Sequence, residues 1–194
     1  MEKPRDFDGV QAYGEYRPLK PGGYVCRIMN VMETLSSTKK NMLVIDLDIA
    51  EGPEKDRFRN EYLSDTRSPK KWGCKANQLV YDNDGNTNKG FKTFITSAQN
   101  SNPGFNVAWG GGFCESLKGK LIGGVFGREQ YINSKGESKF ITKCQQFRSV
   151  ETVRAGIEPP EDKLLNPADK KPADDKYSGF YALEPLPDDS GLPF

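Results

Sequence analysis

Between residues 42 and 49 the side chains alternate strictly, with Leu43, Ile45, Leu47 and Ile49 on one side and Met42, Val44, Asp46 and Asp48 on the other. A period of two is that of a strand with one buried and one wet face. Tyr24 to Leu35, entered through Pro21-Gly22-Gly23, alternates with Tyr24, Cys26 and Ile28 on one face, and polar Ser36-Ser37-Thr38-Lys39-Lys40-Asn41 joins the two runs as a hairpin. Glu51-Gly52-Pro53 ends the second strand, and Arg57 to Leu63 predicts a third. The pattern weakens from Ser64 to Lys89, after which Phe91 to Asn100 predicts a short helix through Phe91, Phe94 and Ile95. Leu121 to Ile132 and Lys139 to Phe147 flank the turn formers Asn133-Ser134-Lys135-Gly136-Glu137 and predict a closing hairpin. Glycines at 119, 123, 124 and 127 predict a strongly bent strand, as a barrel corner requires.

Three strands, a helix-bearing excursion and a final hairpin are the layout of an OB-fold, whose sheet face and two hairpin loops bind oligonucleotides. A generic β-sandwich or another small barrel fits the periodicity nearly as well. The predicted fold is mainly β, a five-stranded OB-like barrel with one short helix over residues 22–150, preceded by an N-terminal arm at 1–21. Residues 151–187 scatter six prolines among charges with no apolar periodicity, which predicts a flexible linker that buries too little to offset its ordering entropy. Within it Tyr177, Phe180, Tyr181 and Leu183 form an apolar patch, either a docking motif or a segment that folds back. An acidic tip at 188–194 completes a disordered acidic C-terminal tail.

The charge divides at the same place. Of the 194 residues, 1–150 hold 23 Lys and Arg against 17 Asp and Glu, whereas 151–194 hold 5 against 10. A basic body thus carries an acidic tail. The chain has no His, which excludes imidazole-based triads and H-E-x-x-H zinc sites. Cys26, Cys74, Cys114 and Cys144 contain no C-x-x-C pair, so reduced thiols packed as small hydrophobes are expected, with no metal or other cofactor. Asp82-Asn83-Asp84-Gly85-Asn86 hints at a calcium loop, but Phe91 stands where a bidentate Glu is required, so a plain turn is predicted. The start, MEKPRDFDGV, is charged where a signal peptide is apolar, and no apolar run is long enough to span a bilayer. A cytoplasmic protein is expected.

Binding single strands without reading sequence needs cations for the phosphates and aromatic faces for the bases, each stack contributing ~1–3 kcal/mol. Lys39 and Lys40 fall at the first hairpin turn, and Lys55, Arg57 and Arg59 at the start of the predicted third strand. Lys70, Lys71, Trp72 and Lys75, with Arg67, follow in the irregular segment, where a bulky ring among lysines has no obvious core to join. Arg128, Tyr131, Lys135 and Lys139 decorate the last hairpin, where Phe126 and Tyr131 face opposite sides. Trp109 and Phe140 are expected to pack inward. Asp46 and Asp48 share a strand face and suggest a metal-dependent nuclease, but no third acid or lysine at motif spacing accompanies them; a non-enzyme is expected.

The chain ends Asp188-Asp189-Ser190-Gly191-Leu192-Pro193-Phe194. This ending resembles the tip of bacterial and phage single-stranded-DNA-binding proteins, an acidic run closed by Ile or Leu, Pro and a terminal Phe behind an OB-fold; here Ser190 and Gly191 interrupt the acids. Phe194 offers a ring for an apolar pocket and a free carboxylate for a cation, Pro193 limits the entropy lost on docking, and Asp188 and Asp189 steer toward a basic partner. More loosely, Gly23-Tyr24, Lys40 to Ile45, Ile49 to Pro53 and Leu117 to Lys120 are similar to small proteins of phage replication modules. The resemblance implies sequence-independent binding and protection of single-stranded DNA in replication and recombination, with the tip recruiting replication and repair proteins. The alternative without DNA binding is an interaction module that captures host DNA-processing proteins through Leu192-Pro193-Phe194. An unpaired edge strand would also permit a homo-oligomer.

Overall fold

The computed structural model describes residues 2–5, 7 and 17–165. The tail from 166, with Asp188, Asp189, Leu192, Pro193 and Phe194, lies outside the described residues, as does the patch at 177–183. Strands β1 (Gly22–Leu35) and β2 (Asn41–Ile49) are followed by helix α1 (Arg57–Ser64), strand β3 (Lys75–Leu79) and helices α2 (Lys89–Ser101) and α3 (Phe113–Leu117). Strands β4 (Leu121–Ile132) and β5 (Ser138–Arg148) and helix α4 (Val150–Arg154) complete the chain. The five strands form one antiparallel sheet in the order β3-β2-β1-β4-β5. Three consecutive strands with the fourth returning beside the first make a Greek key. The sheet is not closed: β3 and β5 approach across a seam without pairing.

The first hairpin follows its alternation. Leu43, Ile45, Leu47 and Ile49 are buried with Cys26, Ile28 and Val31. Lys39 turns the chain at φ 58°, and Ser36 and Lys40 close the turn through a 2.8 Å backbone hydrogen bond. A register shift between Ile28 and Asn30 bends β1, which pairs with β4 through Gly22–Arg27 and with β2 through Cys26–Leu35. Helix α2 starts at Asn88, whose side chain accepts from the Gly90 and Phe91 amides, and it covers the concave face with Phe91, Phe94, Ile95 and Ala98, one stripe at helical spacing. Phe94 meets Phe147 at 4.9 Å between ring centroids.

Several expectations are corrected. Residues 57–63 are helix, not strand. Phe58 and Tyr62 stand four apart, a spacing that a strand face and a helix face both satisfy, and Arg57 binds Glu54 at 2.7 Å and Glu61 at 3.0 Å along the helix. The third strand is the polar run KANQL, in which Ala76 alone is buried. Four short helices occur among the described residues where one was expected. The outer face of β2 is only partly wet, because Val44 and Asp48 are buried. Gly123 serves contact more than bending: a Cβ there would lie 2.8 Å from the carbonyl oxygens of Arg148 and Ser149 and 2.6 Å from Val153.

Both flanks of the sheet are packed against it. Leu19 is buried, its carbonyl accepts from Thr142 Oγ1 on β5, and the Arg17 carbonyl accepts from Arg57 on α1. The arm therefore plugs one end of the seam. After β5, Ser149 caps α4, whose Val150 and Val153 join Val25 in a second cluster on the outer face. Residues 151–165, read from sequence as the start of the linker, lie on the domain through this helix and through Lys163, which bridges to Glu129 in parallel.

Cys26 and Cys74 are buried, and burial pushes both thiols well above the ordinary range; Cys144 is pushed up to about 12 by the same cause. A thiol reagent at pH 8 is expected to leave Cys26 and Cys74 unmodified in the folded protein, and peptide mapping that finds either labelled early would contradict this packing. Among the described residues no helix is long and apolar enough to cross a membrane.

Candidate nucleic-acid interface

Two banks of side chains face one another across the seam. On one side, α1, the segment before β3 and the first residue of β3 present Tyr62, Lys70, Trp72 and Lys75. The rings of Tyr62 and Trp72 lie 5.6 Å apart, and the Lys70 ammonium sits 5.5 Å over the Tyr62 ring. On the other side, β5 presents Ile141, Thr142 and Lys143. The cleft between them, floored by Phe58, Cys74 and Cys144, encloses about 70 Å³, too little for a nucleobase, so a base would have to stack across the rim.

Trp72 does find a core. It is half-buried against the main cluster and donates its indole N–H to the Leu47 carbonyl at 2.8 Å. Lys75 is drawn to Asp46, with Nζ 3.0 Å from the carboxylate. Arg57, read as a phosphate contact, is spent on Glu54 just before α1, on Glu61 within it and on the Arg17 carbonyl. Arg59 and Lys71 are exposed.

The β4–β5 hairpin extends past the end of β1 as a two-stranded ribbon. Arg128 is opposite Thr142 and Gln130 opposite Phe140, whereas Glu129 is opposite Ile141 and Tyr131 opposite Lys139. Alternation therefore puts Arg128 and Phe140 on one face and Tyr131, Lys139 and Lys143 on the other. On the first face the Arg128 guanidinium lies 5.1 Å over the Phe140 ring and is gripped by Asp162. On the second, Lys143 reaches Glu129 at 3.6 Å, while nearer the tip Lys139 reaches Glu137 at 3.3 Å and Lys135 is exposed. Lys39 and Lys40 belong to a third region, about 20 Å along β2 from Lys75, where Lys40 hydrogen-bonds Asn83.

The predicted residues thus fall into three groups: the β1–β2 turn, the seam and the β4–β5 ribbon. Sequence reasoning missed Tyr62 and Lys143, which only the seam brings into play, and it placed Phe140 and Trp109 inside. Phe140 is 43 % exposed under Arg128, and Trp109 is 67 % exposed, stacked on Phe113 at 5.4 Å. Of the pair Phe126 and Tyr131, expected on opposite sides, Phe126 is the fully buried one.

The carboxylates have structural occupations. Asp48 accepts the backbone N–H groups of Ile49 at 2.9 Å and Phe58 at 3.0 Å, so it caps α1 from another strand, and desolvation raises its pKa against those hydrogen bonds. Glu61 is likewise raised by burial, with Arg57 opposing. Asp82 accepts the Asp84 and Asn86 amides in a tight turn. No protein-family model and no curated protein matches the chain.

Proposed function

We propose that this chain binds single-stranded DNA without reading its sequence and protects it during replication or recombination, while the C-terminal tip recruits partner enzymes. The observation that carries the reading is the pairing of cations with partly exposed aromatic rings on an incompletely closed Greek-key sheet, namely Lys70 over Tyr62, which packs against the half-buried Trp72 at the seam, and Arg128 over Phe140 on the ribbon. Such pairs offer a charge for a phosphate and a flat surface for its neighbouring base. The ending Leu192-Pro193-Phe194 behind two aspartates supplies the recruiting half of the proposal.

Titration with oligo-dT, followed by intrinsic fluorescence with and without Mg²⁺, tests it. Quenching is expected to survive Trp109→Phe and to fall sharply in Trp72→Phe. Log affinity should drop by about 0.7 per log unit of salt for each phosphate contacted. Truncation before Asp188 should keep or tighten DNA binding and abolish partner capture. Silence at low salt would favour the interaction module that captures proteins without DNA, and strand cleavage on adding Mg²⁺ would favour a nuclease.

A further inference from the structure

The last β1–β4 pair is Gly22 with Phe126, yet β4 continues to Ile132. Its free edge beyond that point is filled by the chain's own residues 160–165. Lys163 N–H donates to the Arg128 carbonyl at 2.9 Å, Gln130 N–H donates to the Lys163 carbonyl at 2.8 Å, and Leu165 N–H donates to Gln130 Oε1 at 3.1 Å. Pro160 lies so close over Gly127 that a Cβ there would come within 2.6 Å of its ring. Asp162 takes the Arg128 guanidinium with both carboxylate oxygens, Nε donating at 2.8 Å.

A guanidinium fork receives a carboxylate and a phosphate in the same two-pronged way. Arg128 is held over an exposed ring, so a place that would take a phosphate beside a stacked base is filled by an internal anion. Both partners remain partly in solvent, with side chains 50 % and 30 % exposed, and an ion pair so screened exchanges readily. Arg128 in turn holds the Asp162 carboxyl below its usual range.

We infer that residues 160–165 are a displaceable latch in which Asp162 stands in for a backbone phosphate at Arg128, and that a single strand taking Arg128 releases this segment from β4. The inference rests on the DNA-binding reading. Gly156, at φ 96° past the Ala155 cap of α4, turns the chain out of the helix toward this segment. Loading of DNA then lengthens the tether of the recruiting tip, so occupancy of the body is signalled to the tail.

The test uses the full chain, dT oligonucleotides at fixed salt, and hydrogen exchange at the Gln130 and Lys163 amides. Asp162→Asn removes the stand-in charge, Lys163→Pro removes the donor to Arg128, and Glu161→Gln removes an equal charge next door. Binding about threefold tighter or more in the first two variants but not the third is expected, with protection of both amides in the free protein and its loss on saturation with DNA. Equal affinities with protection retained overturn the latch and leave DNA binding intact. Tightening that is the same in Asp162→Asn and Glu161→Gln but absent in Lys163→Pro marks a general charge effect and also overturns it. Failure of every variant to bind oligo-dT at low salt sinks the parent reading and the latch together.

Discussion

Replacing Phe126 by alanine is expected to lower the unfolding free energy by about 3–5 kcal/mol, the cost of deleting a buried aromatic ring and leaving its cavity. Phe126 is fully buried, meets Tyr24 edge to face at 5.3 Å, and sits where β4 slips register against β5. The strand around it is hydrogen-bonded on both sides, to β1 and to β5, so the backbone cannot close in on the hole. Urea unfolding measures the loss, with Phe140→Ala as its control. That ring is 43 % exposed, and its removal should stay within about 0.5–1 kcal/mol. Equal losses in the two variants would mean that Phe126 is not the centre of this core.

Asp48→Ala is expected to cost about 2–3 kcal/mol, because it strands the buried Ile49 and Phe58 amides and uncaps α1 from outside the helix. Asp48→Asn keeps an oxygen in place and should cost less. The pH dependence separates charge from geometry. Burial raises the folded pKa of Asp48 above 3.8, so its neutral form is favoured by folding. That stabilisation is complete below pH 3.8 and drains away as pH rises through the folded value. The stability advantage of wild type over Asp48→Asn is therefore expected to be largest in acid and to shrink toward neutral pH. Glu61, shifted in the same direction, is common to both proteins and largely cancels. An advantage that grows with pH instead would reverse the assigned cause.

The elements legible in the sequence are those whose burial repeats with one period. Leu43 to Ile49 and the stripe from Phe91 to Ala98 each declare a single face. Phe58 and Tyr62 are compatible with two periods, and what decides between them is the Asp48 carboxylate, ten residues away from the amide it caps. KANQL is silent because an edge strand beside an open seam buries little. Trp72 is misleading because its lysine neighbours report the surface while its ring turns into the core. Ser149 followed by Val150 and Val153 did carry a capping residue and an apolar i, i+3 pair, which scattered prolines farther on obscured. Cation positions were legible, whereas their partners were not: Lys75 and Asp46 are 29 residues apart, and Arg128 and Asp162 are 34 apart.

A fragment cut at its outermost strand residues, Gly22 and Arg148, would keep every pairing among the five strands and still be incomplete. It would lack Leu19, the stopper between α1 and β5, together with Val150 and Val153, the lining of the outer cluster. The smallest piece of this chain worth expressing on its own runs from Arg17 to Leu165, because its two ends serve as fasteners for a sheet that never closes on itself.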